Sequence, residues 1–529
     1  MISPHSSTAL CPARQLVGEV SSELRDAAIS GARWTFPARF LRESVGFAAS
    51  VILARLVSPE EFGHAAIAVI FVALTAILGS AGCTAPLIQR EQLTSRLVGA
   101  AVTLCLAVAL VLTIATVAAA EPVFGSLFGD RTAELVLLAS PAWLLVGVGA
   151  PSHALLQRSF RFRTIAIIEA SAACLSAATA ILLAQRGAGG AAIVAGYVVL
   201  VGSSGFFALA AMPPRSWRTD RAALRDTVGF ATPLASSSLV YVFYRNVDYL
   251  ILGLRTTPAQ VGYYWRAWQL GVSYQSKISD VMQWVSLPVF SRASHIDELR
   301  AIHHRIVRTH ATILLPLLTV FIGAAPVLVP WVFGPTWEPA VVPAQIMAVA
   351  GMAEAITTGI GPLMVAVGRP GVLLRVNLVV LAAFSAMIYV LAPHGLTVVA
   401  AGVAVGGVVL VIGTQAFVRR PYAGLTFRDL WAETRPGIVV GAGVLMTSVL
   451  VREALESIGA PAPLFIAVLA VACLVTYSLL LKTLFPAVWR DLLSIARTLS
   501  RRAPVGSTPL KEAEDLADHD RTPSQSGRQ

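Results

Sequence analysis

LVSPEEFGHAA, Leu56 to Ala66, and RTTPAQVGYYW, Arg255 to Trp265, occupy equivalent places in what reads as a duplicated chain. Pro59 and Gly63 of the first align with Pro258 and Gly262 of the second, an offset of about 199 residues. Further on, Phe128-Gly129 matches Phe333-Gly334, and Arg158 matches Arg369, with the offset drifting to about 211. Pro-x-x-x-Gly segments also recur by chance. Four matches in order, at a slowly drifting offset, are what a duplicated unit with small insertions produces.

The duplicated material is apolar. Mean hydropathy is +0.72 and only 13% of the 529 residues are charged, where a soluble domain carries about 25%. Polar surface of that extent does not cover a water-soluble globule. The net charge of +11 does not point to nucleic acid, because the basic residues sit in short clusters between apolar runs, which is a topology signal. A helix needs about 20 apolar residues to cross the hydrocarbon core. Fourteen stretches qualify: 34–57, 62–81, 97–120, 133–155, 164–185 and 190–212; then 228–254, 259–288, 306–333, 338–367, 371–392 and 396–418; then 436–452 and 462–485. The expected fold is an all-α polytopic membrane protein of about fourteen transmembrane helices. It comprises two six-helix lobes, 34–212 and 228–420, joined by a basic linker at 213–227, with an additional helix pair at 436–485.

Lysine and arginine placement sets the orientation. With the N-terminus inside, the even-numbered loops are cytoplasmic and hold 19 arginines, among them Arg158, Arg161, Arg163, Arg215, Arg218 and Arg221, against 5 in the odd-numbered loops (Arg55, Arg131, Arg186, Arg255 and Arg452). That bias places both termini in the cytoplasm. Residues 1–33 form a cytoplasmic N-terminal segment without the apolar core and cleavage site of a signal peptide. Residues 486–529 form a cytoplasmic tail, polar and expected to be disordered from about Ala503. Trp331 and Trp337 flank an outer loop, as interfacial aromatics do. Each repeat has an even number of spans, so the units face the same way. That is a parallel repeat about an axis along the membrane normal, with the substrate path between the halves.

Ionisable residues inside a span cost about 2.5–3.5 kcal/mol each and turn towards protein or a wet cavity. Here they gather in three helices. The first span carries Arg39, Arg42 and Glu43, with Gly46 and Ser50 on the same stripe; the seventh carries Ser238, Tyr241, Arg245 and Asp248; the eighth carries Arg266, Gln269, Ser273, Lys277 and Asp280. These spacings put each set on one helical face. The expected arrangement is one shared cavity with five basic groups (Arg39, Arg42, Arg245, Arg266, Lys277) and three acids (Glu43, Asp248, Asp280), suited to an anion such as a diphosphate, whose oxygens match the guanidinium fork. The competing expectation is local neutralisation of Arg39 by Glu43, Arg245 by Asp248 and Lys277 by Asp280. In that case Asp248→Ala partly rescues Arg245→Ala. Arg42 and Arg266 have no such neighbour. Glu169 and Glu354 are isolated acids in the fifth and tenth spans, read as satisfied buried carboxyls or as ion-coupling sites.

Other chemistry is not encoded. Cys11, Cys83, Cys105, Cys174 and Cys473 form no CxxC pair and read as packing residues. His295, His303, His304 and His310 crowd one cytoplasmic loop and read as a solvated or headgroup-facing segment rather than a metal site. There is no GxxxxGK[ST] loop and no G-x-S-x-G elbow, so neither ATP-driven transport by this chain alone nor nucleophilic catalysis is expected. No cofactor or metal is expected.

ILARLVSPEEFGHAAIA from Ile52, APLIQREQLT from Ala85 and LLQRSFRFRTIAIIE from Leu155 resemble segments of the oligosaccharide flippase (polysaccharide transporter) family of the multidrug/oligosaccharidyl-lipid/polysaccharide exporter superfamily. So do NVDYLILG (Asn246 to Gly253), VGYYWRAWQL (Val261 to Leu270), LPVFSR (Leu287 to Arg292) and FGPTWEPA (Phe333 to Ala340). The resemblance covers about 34–420. It implies an undecaprenyl-diphosphate-linked oligosaccharide as substrate, moved by alternating access between the lobes for O-antigen, capsule or exopolysaccharide assembly in the bacterial inner membrane. The bilayer, a polysaccharide polymerase and export machinery are the implied partners. The family usually has Tyr-Ser-Arg-Ala where this chain has Tyr264-Trp265-Arg266-Ala267, a change that reshapes the cavity mouth and keeps the charge. The alternatives are an ion-coupled multidrug or small-molecule exporter of the same superfamily, which would need acids to dominate the cavity, and a non-transporting component of polysaccharide assembly.

Overall fold

Serine or threonine followed by proline starts the two marked helices in the same way. Ser58 Oγ accepts from the amide of Glu61 and Thr257 Oγ1 from that of Gln260, both at 3.4 Å. Each is a hydroxyl cap ahead of a proline whose missing N–H falls where no acceptor is needed. A computed structural model describes residues 22–77, 83–90, 92–277, 279 and 295–500. The described part is helical throughout. The first unit contains α1 (Ser22–Leu56), α2 (Pro59–Ile77), α3 (Cys83–Gln89), α4 (Ser95–Ala119), α5 (Asp130–Ala139), α6 (Ala142–Arg158), α7 (Phe162–Gln185) and α8 (Gly190–Ala211). The second contains α9 (Arg221–Arg255), α10 (Pro258–Trp268), α11 (Ile296–Phe333), α12 (Val341–Thr357), α13 (Ile360–Ala366), α14 (Pro370–Leu391) and α15 (Leu396–Thr414). After these come α16 (Phe427–Ser457), α17 (Ala462–Leu484) and α18 (Pro486–Ser500).

The repeat extends to the packing. In the first unit α1 packs on α7, α7 on α8, α6 on α8, and α4 on α6; in the second α9 packs on α14, α14 on α15, α12 on α15, and α11 on α12. The two Phe-Gly pairs are equivalent turns. Gly129 has φ +87° and ψ 157°, and Gly334 has φ +105° and ψ 158°, a conformation that L side chains rarely adopt. The units meet where α2 crosses α10, and the contact is reciprocal. A Cβ on Gly63 would fall 1.8 Å from the carbonyl oxygen of Pro258, and one on Gly262 would fall 2.0 Å from that of Pro59. Such mutual contact of equivalent residues is the mark of a two-fold relation. We call this the proline end of the bundle. The other is the arginine end, where Arg90 pairs with Asp226 at 2.7 Å and Arg96 with Asp220 at 3.0 Å.

Ten helices among the described residues are long and apolar enough to cross a membrane. The chain is therefore a multi-pass membrane protein. The other four of the fourteen expected spans fall on α1, α2, α9 and α10, which are helices in the described residues. Three of those four carry Arg39, Arg42, Glu43, Arg245, Asp248 and Arg266. Apolar side chains such as Val405, Val409, Val471 and Leu474 stand exposed on α15 and α17, as a lipid-facing surface requires. Helices outrun the expected spans at the arginine end: α1 starts at Ser22, α9 at Arg221 inside the expected linker, and α16 at Phe427. Asp220 and Thr426 cap the last two; Asp220 accepts from Ala223 at 2.7 Å, and Thr426 forms a reciprocal capping box with Asp429.

Two expectations about surface residues are corrected. Trp337 is fully buried and donates its indole N–H to the Ala54 carbonyl at 2.8 Å; it is a cross-unit contact, and only Trp331 remains exposed. His303 and His310 are buried as well, because α11 is one continuous helix on which α12 and α16 pack. His310 sits between Ser279 Oγ at 3.0 Å and the Ala355 carbonyl at 2.9 Å. Among the cysteines, Cys83, Cys105 and Cys473 are buried as packing residues, Cys174 is exposed, and Cys11 lies outside the described residues.

At the proline end Glu61 clasps the first unit together. It accepts from Arg131 at 3.1 and 2.9 Å and from the Gly190 amide that opens α8 at 2.5 Å. Burial opposes its ionisation, but the Arg131 and Gly190 hydrogen bonds outweigh burial and hold the carboxyl below its ordinary value. A carboxyl so lowered stabilises the fold at pH above the ordinary glutamate value, and that contribution is lost as pH falls through the folded value. Thermal unfolding in detergent is expected to show this acid loss in the native protein and a weaker one in Glu61→Gln. Gly63→Ala is expected to cost about 1–3 kcal/mol, the range of overpacking, seen as a lower unfolding midpoint. Gly46→Ala, where a Cβ meets nothing within 4 Å, is expected to leave the midpoint in place.

Candidate functional site

The polar faces of α1, α7 and the segment after α10 meet in one cluster. Arg42 donates to Glu43 at 3.0 Å and to Glu169 of α7 at 3.1 Å. Lys277, from the second unit, binds the other oxygen of Glu43. Two cations and two carboxylates alternate, so the cluster is neutral as it stands. All four side chains keep between 29% and 45% of their surface accessible, so they border open space. The expected i,i+4 partnership of Arg39 with Glu43 is replaced by one with Arg42 and Lys277. Glu169 is not isolated.

Arg245 turns to a different acid from the one its spacing suggests. It binds Glu354 of α12 at 2.6 Å, and Gln275 donates to the other oxygen of Glu354 at 3.4 Å. Asp248 is fully buried and accepts from the Tyr264 hydroxyl at 2.6 Å. The residues on α9 share a stripe, but one helix turn separates an accessible ion pair from a sealed carboxyl. Asp280 lies outside the described residues.

Arg266 is placed apart from both. It is 2% exposed and caged where the units meet. Its guanidinium carbon lies 4.4 Å from the ring centre of Phe333, 4.7 Å from Trp337 and 5.3 Å from Phe62. One terminal nitrogen donates to Ser50 of α1 at 2.7 Å and to Gln269 at 2.8 Å. The Nε and Nη2 groups have no hydrogen-bond partner among the described residues. Each desolvated cation–π contact is worth up to about 2 kcal/mol, which offsets part of the cost of holding a charge out of water. Phe62 and Ser50 come from the first unit; Phe333, Trp337 and Gln269 come from the second. The cage is therefore built by both units together.

A cavity of about 770 Å³ lies within the first unit, among α3, α6, α7 and α8, with Arg42 and Glu169 on its wall. Besides the buried Thr84, its other polar groups are Gln89, His153, Gln157 and Ser204, with His153 Nε2 at 3.0 Å from Ser204 Oγ. The charge count did not reveal these four. The available signal was His153 and Gln157 one turn apart in an otherwise apolar stretch.

The profile of a family described as "Polysaccharide biosynthesis protein" matches residues 52–342, more than half of the chain. The chain belongs to this family. Among its relatives is the succinoglycan biosynthesis transport protein ExoT of Rhizobium meliloti (strain 1021), 27% identical over 469 residues, which span 86% of this chain and 93% of that one. The lipopolysaccharide biosynthesis protein WzxC of Escherichia coli (strain K12) is 23% identical over 361 residues, 67% of this chain and 73% of that one. The solved structure of the lipid II flippase MurJ in an inward closed conformation superposes with a TM-score of 0.71 at 13% identity, covering 88% of this chain and all of that one. An inward-facing multidrug resistance MATE transporter superposes at 0.56 and 16% identity, covering 75% and 95%. These likenesses fix the fold as that of polytopic membrane transporters; the chemistry of the site rests on the residues here.

The partner of Arg245 is open to direct test. A double-mutant cycle on Arg245→Ala and Glu354→Ala, read by thermal unfolding in detergent, is expected to give a coupling of about 0.5–3 kcal/mol, the range for residues in contact. The same cycle with Asp248→Ala in place of Glu354→Ala is expected to give the smaller coupling.

Proposed function

We propose that this chain is a flippase that moves an undecaprenyl-diphosphate-linked oligosaccharide from the cytoplasmic to the outer leaflet of the bacterial inner membrane, for O-antigen, capsule or exopolysaccharide assembly. The reading takes residues 34–212 and 228–420 as two lobes that alternate access. It places the arginine end and both termini in the cytoplasm and takes the chain to be a transporter rather than an enzyme. The observation that carries it is the Arg42–Glu43–Lys277–Glu169 cluster, which ties the two lobes through accessible ion pairs deep in the apolar bundle.

The cluster suits a diphosphate because it already holds anions. Glu43 and Glu169 occupy the positions that phosphate oxygens would take on Arg42 and Lys277. A diphosphate that displaces them exchanges one ion pair for another, so no bare charge has to be desolvated. The guanidinium offers a planar fork and the ammonium a compact point charge. Displacement also breaks the Glu43–Lys277 tie between lobes, which links binding to lobe movement. Arg39 lies one turn towards the cytoplasm on the same helix and is assigned to substrate entry. The Arg245–Glu354 pair is a second exchangeable station. Arg266 meets substrate only after the proline end opens and its aromatic cage comes apart. The family membership and the names of the relatives support a polysaccharide precursor over a drug as cargo.

Purified protein in sealed vesicles is expected to transfer a labelled polyprenyl-diphosphate saccharide between leaflets. Arg42→Ala and Lys277→Ala are each expected to slow transfer at least tenfold while the protein still inserts and unfolds cooperatively. Transfer by both variants at the native rate would remove the cluster from the mechanism.

A further inference from the structure

The cavity within the first unit has a chemistry different from that of the ion cluster on its rim. Gln89, His153, Gln157 and Ser204 present amide, imidazole and hydroxyl groups, donors and acceptors together, with no net charge among them. Gln89 and Gln157 are exposed at the arginine end, while His153 and Ser204 lie half-buried further in. Ala150 and Val201 form an apolar wall beside them. An acyl chain would leave these polar groups unmatched in such a space. A lone ion would need convergent ligands, and no group of three or more metal-binding side chains occurs among the described residues. A ligand with hydroxyls on its edge and C–H groups on its face matches both walls. At about 770 Å³ the space falls in the range of sites for small polar molecules, about 300–1,000 Å³.

The position of Arg42 connects this cavity to the transport path. Its guanidinium lines the cavity wall and also binds Glu43, which Lys277 reaches from the other lobe. A molecule with a diphosphate at Arg42 and Lys277 would therefore place whatever is esterified to that diphosphate at the cavity mouth. We propose that the cavity is a sugar-recognition subsite that takes the diphosphate-proximal residue of the saccharide. His153, Gln157, Ser204 and Gln89 hydrogen-bond its hydroxyls there. This assignment rests on the flippase reading and adds to it: the chain selects its cargo by the first sugar, inside one lobe, and not by the lipid alone.

The test compares two probes in the vesicle assay: the lipid-linked saccharide and the bare polyprenyl diphosphate. The double variant Gln157→Ala/Ser204→Ala is expected to lower the ratio of saccharide-lipid to bare-lipid transfer at least fivefold. A ratio equal to that of the native protein would overturn the subsite. In a second measurement, Gln157→Cys is labelled with a membrane-impermeant maleimide and the modified peptide quantified. The saccharide-bearing lipid is expected to slow labelling at least threefold relative to the bare lipid. Equal protection by both lipids would mean that the cavity holds no sugar, and would overturn the proposal even where the ratio falls. Native protein that transfers neither lipid would refute the flippase reading itself, and the subsite with it.

Discussion

Glu43 is held from both sides, by Arg42 on its own helix and by Lys277 from the other half of the molecule. An ionised carboxylate within a membrane span is costly unless it is paired, and here two cations share it. The pairing does more than satisfy one residue. The same ion network links α1 to α7 through Arg42 and Glu169 and to the segment after α10 through Glu43 and Lys277. The charge-bearing faces of α1 and of the segment after α10 are thereby turned towards each other. The strongly apolar helices, α14, α15 and α17, are left for the lipid.

The two halves are joined in two physically different ways. At the proline end the joint is backbone against backbone, Gly63 on Pro258 and Gly262 on Pro59, backed by the buried indole of Trp337 on the Ala54 carbonyl. Such a joint depends on shape and admits no substitute partner. Deeper in the bundle the joint is ionic, and an ionic joint can exchange one anion for another. On the proposed flippase reading, alternation between two arrangements needs a contact that reforms in only one way and another that cargo can enter, and the two kinds of joint would divide those tasks.

Much of this was legible in the amino-acid order. The Pro-x-x-x-Gly and Phe-Gly repeats marked the cap-and-turn positions that the structure repeats, because proline and left-handed glycine impose local geometry whatever surrounds them. Hydropathy marked fourteen spans, and ten of the described helices are long and apolar enough to be among them. Pairing was not legible. Spacing placed Arg245 and Asp248 on one stripe, but it does not say which neighbour that stripe meets, and α12 brings Glu354 to Arg245 while Tyr264 takes Asp248. Trp337 read as interfacial because it follows an apolar span, and its burial depends on Phe62 and Ala54, which lie nearly three hundred residues away in the chain. His303 and His310 of α11 read as solvated for the same reason, since Gly359 and Ala355 cover them from some fifty residues away in the chain. The polar cavity in the first unit escaped because its residues are neutral, and a census of charges passes over glutamine and serine.

The repeat is faithful in its turns and unfaithful in its charges. At the offset that aligns Pro59 with Pro258, Arg42 and Glu43 correspond to Tyr241 and Val242, Arg245 corresponds to Gly46, and Arg266 corresponds to Ile67. The duplicated scaffold therefore supplies two equivalent frames, and the polar groups break the equivalence. Ile67 is buried in an apolar core, as its position asks, whereas Arg266 in the matching place carries a full charge into the seam between the halves. No structural need of the repeat calls for that charge, since the first unit closes its side of the seam without one. Its two unpartnered nitrogens are tolerated only while Phe62, Phe333 and Trp337 surround it. On the proposed flippase reading, separation of the halves at the proline end would take Phe62 and Ser50 out of the cage and hydrate the guanidinium. Water or an anion would then meet the demand for hydrogen bonds that the closed seam leaves open. An arginine in that position would make opening less costly than an isoleucine, and would tie the opened state to the sign of what arrives there.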